Sequence, residues 1–201
     1  MIKKINHDKI HPKKHEIHNN TTNIKMSKDL RNLVLINSFY NFFYGLAEPF
    51  ITIFFNKFGD LSEVGISIAI LYIVQGVISY FVSNYINVLG PKRVVLISQI
   101  FESVRVFGFI FAQNVYWVYG LQILGGIIQG FNTPAYMSVY VNVCRDESDK
   151  SVGIHSSIPT IAYGVSALIA GFMIDMFGYV PIFILWGLQE LFYGLYIYFK
   201  V

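Results

Sequence analysis

Six long apolar stretches constrain the fold more than any other feature of this sequence. They cover residues 33–55, 64–86, 94–113, 116–141, 153–176 and 180–199, with short breaks rich in turn formers and charge between them. An α-helix needs about 20 residues to cross the roughly 30 Å of bilayer hydrocarbon, whereas a strand of a membrane barrel needs only about 10 alternating residues. The pattern therefore predicts an all-α membrane protein with six transmembrane helices.

The charged residues are few and unevenly placed. They make up 13% of the chain, against about 25% in an average soluble domain. Eight of the 15 Lys and Arg residues precede residue 32, so the other 170 residues could not cover the surface of a soluble fold. A single cysteine, Cys144, excludes a disulfide framework and a multi-cysteine zinc site. The body of the chain also lacks the basic surface of a nucleic-acid-binding protein.

The distribution of Lys and Arg predicts the orientation in the membrane. Thirteen of them fall in the amino-terminal tail, at the carboxyl terminus or in the second and fourth breaks, and only Lys57 falls on the other side. Cytoplasmic loops carry the excess of basic residues. We therefore expect both termini in the cytoplasm, a cell-membrane location, a disordered basic tail over 1–31 without a signal peptide, and a six-helix transmembrane domain over 32–201.

The tail carries four histidines, His7, His11, His15 and His18. On a helix their spacing could cluster them around a metal ion, but Pro12 and the neighbouring lysines oppose that arrangement. A basic tail next to a membrane span more simply sets orientation and contacts anionic headgroups. We therefore predict no metal site and no cofactor.

Polar side chains recur at helical spacing within most of the apolar stretches. Residues at i, i+4, i+7 and i+11 share one helix face, and a polar face costs too much free energy to point at lipid. We expect these faces to converge on a polar interior that forms a substrate or proton cavity. The residues that we assign to it are Asn37, Asn41, Tyr44, Glu48, Gln75, Glu102, Arg105, Gln129, Trp186 and Glu190.

Two interpretations of these residues stay open. They could hydrogen-bond one helix to another, with Glu102 and Arg105 pairing at i, i+3. Alternatively, Glu48 or Arg105 faces a water-filled cavity and contacts a substrate or a proton. Glu48 is distinctive because a buried acid without a partner would bind a proton. An enzyme is disfavoured, since no G-x-S-x-G, P-loop or H-E-x-x-H motif occurs.

The order of these features resembles the amino-terminal six-helix half of a major facilitator superfamily transporter over residues 30–200. The loop after the second stretch carries part of the family signature G-x-x-x-D-R-x-G-R-K. Gly90 and Lys92 match it, whereas Ser83, Asn87 and Val88 stand at its first glycine, its aspartate and its first arginine.

Three further segments carry the resemblance. Residues 45–50 (GLAEPF) resemble the family's glycine-rich approach to a proline in helix 1, and residues 125–134 resemble helix 4. Residues 171–179 resemble the hairpin between helices 5 and 6.

The resemblance implies a secondary transporter that moves a small solute by alternating access, with the proton as a candidate coupling ion. It also implies a gating loop formed by Asn87, Gly90, Lys92 and Arg93. Because the family's substrate site lies between two six-helix halves, we expect a homodimer or a second six-helix half as partner. The alternative is a non-transporting membrane scaffold or a truncated relic of a twelve-helix transporter. The substrate could be a polar neutral solute such as a sugar or an amphipathic cation.

Overall fold

The structure is a computed structural model that describes residues 26–201, so the predictions about the tail histidines lie outside the described residues. The described part is all-helical. Its elements in chain order are α1 (Lys28–Phe55), α2 (Leu61–Val82), a 3₁₀ turn (Ser83–Tyr85), α3 (Ile86–Leu89), α4 (Pro91–Ile110), α5 (Val115–Cys144), α6 (Asp149–Phe177) and α7 (Val180–Lys200).

The helices begin earlier than the apolar stretches because polar residues cap them. The side chains of Ser27, Asp60, Asn114 and Ser148 each accept a hydrogen bond from a backbone N–H in the first turn of α1, α2, α5 and α6. Such caps satisfy helix donors that would otherwise lack partners. Helix α1 therefore starts at Lys28, four residues before the predicted domain boundary at residue 32, and that boundary stays a prediction.

Two predicted stretches end differently in the structure. The stretch 64–86 is divided, because α2 ends at Val82 and a 3₁₀ turn leads into the short α3. The stretch 94–113 ends early, at Ile110, because Phe111 and the next residues turn towards the α5 cap. Apolar residues follow the 3₁₀ turn at Ile86, Val88 and Leu89, and Phe111 and Ala112 follow the end of α4, so hydropathy alone did not locate these helix ends.

Three helical segments of the described part are long and apolar enough to cross a membrane. They are Leu61–Leu89, Asp149–Phe177 and Val180–Lys200, with mean hydropathies of 1.9, 1.7 and 1.4 over their most apolar windows. The helices α1, α4 and α5 have suitable lengths but a more polar composition. The all-helical membrane-protein class is confirmed, whereas the crossing of all six helices stays a prediction.

The long helices pack as three pairs, α1 with α6, α2 with α5, and α4 with α7, and α4–α5 and α1–α7 contacts join the pairs. Glycine allows close approach in one of these pairs. A Cβ atom on Gly126 of α5 would lie 2.7 Å from the Leu71 carbonyl oxygen of α2. Small residues at such positions let membrane helices approach closely.

The interior has two apolar layers with a polar layer between them. Along α4, Val95 belongs to a buried cluster with Leu33 and Ile197, and Val106 belongs to another cluster with Phe183. Glu102 lies between these two valines in α4 and is buried. Buried apolar clusters therefore lie on both sides of a charged layer along the bundle.

Both ends of the described chain lie at one end of the bundle. The Asn32 side-chain amide donates to the Lys200 carbonyl oxygen at 2.9 Å, and the Ser27 backbone N–H donates to a Glu147 carboxylate oxygen at 2.9 Å. The first turn of α1, the end of α7 and the α5–α6 connection are thereby joined. This places them opposite Lys57, which follows α1 at its far end.

Candidate functional site

A central cavity of about 300 Å³ lies in the polar layer, and α1, α2, α4, α5 and α7 form its wall. It combines charged, amide and aromatic side chains. The polar and aromatic wall residues are Tyr40, Tyr44, Glu48, Thr52, Phe55, Tyr72, Gln75, Glu102, Arg105, Gln122, Gln129 and Trp186. Two acids and one arginine give the wall a formal charge of −1 when all three are ionised.

Arg105 organises the charged part of this wall. Its Nε and Nη2 atoms donate to the two carboxylate oxygens of Glu102 at 3.0 and 2.5 Å, and its Nη1 atom donates to Gln122 Oε1 at 3.2 Å. Gly125 makes room for the side chain, since a Cβ there would lie 2.9 Å from both Cδ and Nε of Arg105. The predicted i, i+3 pair and a cavity-facing arginine therefore occur together.

Glu48 has a different environment from the one that the sequence suggested. It is half-buried in the cavity wall and accepts a hydrogen bond from the Tyr163 hydroxyl of α6. The expectation of a buried acid without a partner is therefore wrong for Glu48. Tyr163 was missed because no polar stripe was assigned to α6, although His155, Tyr163 and Ser166 fall on one face at helical spacing.

Glu190 of α7 is fully buried, as Glu102 is, but it lacks a cationic hydrogen-bond partner within the described residues. It is 0% exposed and lies behind the cavity wall, where its Oε1 atom accepts a hydrogen bond from Trp186 Nε1 at 2.7 Å. Its Oε2 atom has no hydrogen-bond partner within the described residues. The Arg105 guanidinium carbon lies 5.9 Å from the centre of the Trp186 ring, so the indole contacts both charged groups.

Among the residues that the structure describes, the wall of a second cavity of about 440 Å³ includes no acid, lysine or arginine. Asn37 is its hub: its Nδ2 atom lies 2.7 Å from both the Tyr136 hydroxyl and His155 Nε2, and its Oδ1 atom accepts from the Tyr193 hydroxyl at 2.9 Å. Tyr40 lines both cavities. The second cavity was not predicted, because its residues come from polar faces that we assigned to one site.

The structure divides the ten predicted cavity residues among three places. Seven of them line the central cavity: Tyr44, Glu48, Gln75, Glu102, Arg105, Gln129 and Trp186. Asn37 and Asn41 line the second cavity, and Glu190 lies behind the wall. Gln122, which we did not select, is buried and holds Arg105.

The predicted gating-loop residues lie around the junction of α3 and α4, at the end of the bundle that holds both described chain ends. Asn87 belongs to α3, Lys92 and Arg93 belong to the first turn of α4, and Gly90 lies between the two helices. Gly90 has a φ of +85°, a backbone conformation that favours glycine, and it directly precedes the first residue of α4. Asn87, Lys92 and Arg93 are exposed. Lys92 lies in a shallow pocket that Asp29 and other acids also line.

Comparisons with known proteins identify the family of this chain. The family described as Major Facilitator Superfamily matches residues 33–201. The chain is 26% identical over 158 residues to the multi-drug resistance efflux pump PmrA from two strains of Streptococcus pneumoniae, serotype 4 (TIGR4) and R6. The matched segment is 74% of this chain and 40% of each pump, so the chain spans less than half the length of these relatives. The chain is a partial-length member of the major facilitator superfamily, a family of membrane transporters.

Proposed function

We propose that this chain forms one half of a secondary transporter that moves amphipathic organic cations by alternating access. The observation that carries the proposal is the central cavity, in which the Glu48 carboxylate lies among Tyr44, Tyr72 and Trp186. Aromatic faces attract cations, and they also supply apolar contact area. The net negative wall favours a cation over the sugar that the sequence left open. The named activity of the pneumococcal relatives, multi-drug efflux, is consistent with this choice.

We infer that all six long helices span the cell membrane, with both ends of the described chain on the cytoplasmic side. The bonds from Asn32 to Lys200 and from Ser27 to Glu147 place these ends together. That end also carries Lys92 and Arg93, and the basic excess there supports a cytoplasmic location.

We also infer that the working unit contains a second six-helix body, and that this body is a second copy of the chain. The partly exposed Glu48, Gln75 and Gln129 line the open side of the central cavity. Polar and charged groups at membrane depth need protein or water rather than lipid around them. A second copy would cover this side and place two Glu48 carboxylates on a shared cavity.

Coupling to protons follows from the same layer of the molecule. The central layer contains three acids, Glu48, Glu102 and Glu190, and one arginine, Arg105. Two of the three acids have no cation to balance them, and an uncompensated charge at membrane depth favours proton binding by at least one acid. In this proposal the loop with Asn87, Gly90, Lys92 and Arg93 gates the cytoplasmic side.

Transport by proteoliposomes would test the proposal. We expect uptake of a lipophilic fluorescent cation, rhodamine 6G, driven by an imposed pH gradient, with a large loss in Glu48→Gln and in Arg105→Ala. Asp175→Asn, an exposed acid near the end of α6, is the matched control and should transport normally. Unchanged uptake in both cavity variants would contradict the assignment of the cavity.

Light scattering of the purified protein in nanodiscs would test the assembly. Two chains per particle are expected. A particle with one chain that still transports the cation would contradict the dimer.

A further inference from the structure

Glu190 is the one acid in the described part of the bundle that is fully enclosed and has an unused carboxylate oxygen. It is 0% exposed, and only Trp186 Nε1 bonds to it, through Oε1. A carboxylate normally accepts several hydrogen bonds. An ionised Glu190 would therefore be poorly solvated at this position.

The charges that face Glu190 do not balance it. Glu102 and Arg105 of α4 face it, together with Tyr40 of α1 and Tyr193 of its own helix. Arg105 is the only cation among them, and it already uses two nitrogen atoms on Glu102 and a third on Gln122. Glu102, Arg105 and Glu190 together are neutral when Glu190 holds a proton and carry one excess negative charge when it does not. Burial of an uncompensated charge is costly, so the protonated form is favoured.

We propose that Glu190 is a proton-binding residue that sets the position of Arg105 and thereby decides whether Gln122 is free to bind a ligand. The inference rests on the proposed transport function and names the residue that couples protons to the cavity. While Glu190 is protonated, Arg105 stays on Glu102 and Gln122, as in this structure. When the proton leaves for cavity water, the new carboxylate attracts Arg105, and the Gln122 carbonyl oxygen becomes available to a ligand.

Trp186 transmits this change because it contacts both groups. Its indole N–H donates to Glu190, and its ring lies 5.9 Å from the Arg105 guanidinium carbon. Coupling between two binding events is reciprocal, so a ligand on Gln122 must also promote proton release from Glu190. A cation that enters the cavity would therefore displace a proton.

The chain offers a direct optical test, because it has only two tryptophans, Trp117 and Trp186. A Trp117→Phe background leaves Trp186 as the single emitter. We expect its fluorescence in nanodiscs to change with the titration of one proton as the pH is raised. Glu190→Gln, a close mimic of the protonated acid, should lose the whole titration, and Asp175→Asn should keep it.

The variant Glu102→Gln tests whether the titrating group is Glu190 or Glu102, the other acid near Trp186. Without Glu102, Arg105 is free to pair with Glu190, so the Trp186 titration should survive and move to lower pH. Loss of the titration in Glu102→Gln with its retention in Glu190→Gln would assign the proton to Glu102 and overturn the proposal. Infrared spectra of the unsubstituted protein add a measurement that needs no variant to fold: a protonated carboxyl band should disappear as the pH rises.

The pH dependence of rhodamine 6G binding tests whether the proton on Glu190 is coupled to ligand binding in the central cavity. The dissociation constant should fall with rising pH, at most about tenfold per pH unit for one displaced proton, and should change less than twofold in Glu190→Gln. Binding whose pH dependence survives in Glu190→Gln would overturn the proposal while leaving the transport function standing. If no cation is transported, the proposed function fails, and the Trp186 titration still decides whether Glu190 exchanges a proton.

Discussion

The two cavities share the Tyr40 side chain but use different chemistry. The central cavity is built around the ion pair of Glu102 and Arg105 and adds the acid Glu48. Within residues 26–201, no charged side chain lines the second cavity if His155 is neutral, and this cavity is organised by hydrogen bonds to Asn37. The first can therefore discriminate by charge, whereas the second can discriminate only by shape and hydrogen bonding.

The difference in charge between the two cavities follows from the helices that form each wall. The central cavity receives the charged face of α4, while the second receives the amide and hydroxyl groups of α1, α5, α6 and α7, with Gln99 as its one residue from α4. Loss of a charge should therefore damage the two cavities unequally. Substitutions in each cavity test this difference through their effects on stability and on cation binding.

The largest effect should come from Arg105→Ala. It leaves the buried Glu102 without its partner, and loss of one member of a buried pair costs about 3–5 kcal/mol of folding free energy. Chemical unfolding in detergent would measure it. The double variant Glu102→Leu/Arg105→Leu, which removes both charges, should be more stable than Arg105→Ala. Equal destabilisation of the two variants would show that packing, not charge, holds this layer.

A smaller loss of stability is expected for Asn37→Leu in the second cavity. Tyr136, His155 and Tyr193 would lose their shared partner, and unsatisfied buried polar groups cost about 1–3 kcal/mol. The same unfolding assay applies. Asn41→Ala is the matched control, because the Asn41 amide bonds only to the backbone of its own helix, and it should change stability by about 0.5 kcal/mol or less. A control as damaging as Asn37→Leu would contradict the role of Asn37 as a hub.

Glu48→Gln should weaken cation binding without a large change in stability. The variant keeps an acceptor for the Tyr163 hydroxyl but removes the negative charge that faces the cavity. We expect about a tenfold weaker affinity for rhodamine 6G, which corresponds to about 1.4 kcal/mol. Fluorescence anisotropy would measure it. An unchanged affinity would mean that the cation does not occupy the central cavity.

The smallest effect should come from His155→Phe. The ring contact with Tyr140, at 4.8 Å between centroids, can be kept, and only the hydrogen bond to Asn37 is lost. We expect about 1 kcal/mol or less of destabilisation, and less than a twofold change in cation affinity. If His155→Phe weakened cation binding as much as Glu48→Gln, the two cavities would have to be treated as one site.

Much of the central site could be predicted from helical spacing alone. Glu102 and Arg105 are three residues apart, so their pairing follows from the geometry of a single helix. Glu48 and Tyr44 share a face for the same reason. The partner of Glu48 could not be predicted, because Tyr163 lies 115 positions later in the chain and meets it only through the packing of α1 against α6.

The membrane class, the positions of most helices and the side chains expected to avoid lipid could be predicted without a structure, because these depend on local hydropathy and helical periodicity. Helix packing makes Asn37 and Glu48, on one face of α1, line different cavities. It also leaves Glu190 rather than Glu48 as the buried acid with a carboxylate oxygen that has no partner among the described residues. These features could not be predicted because neighbouring helices determine the burial and the hydrogen-bond partners of a side chain. The periodicity of one helix does not show which neighbour covers it.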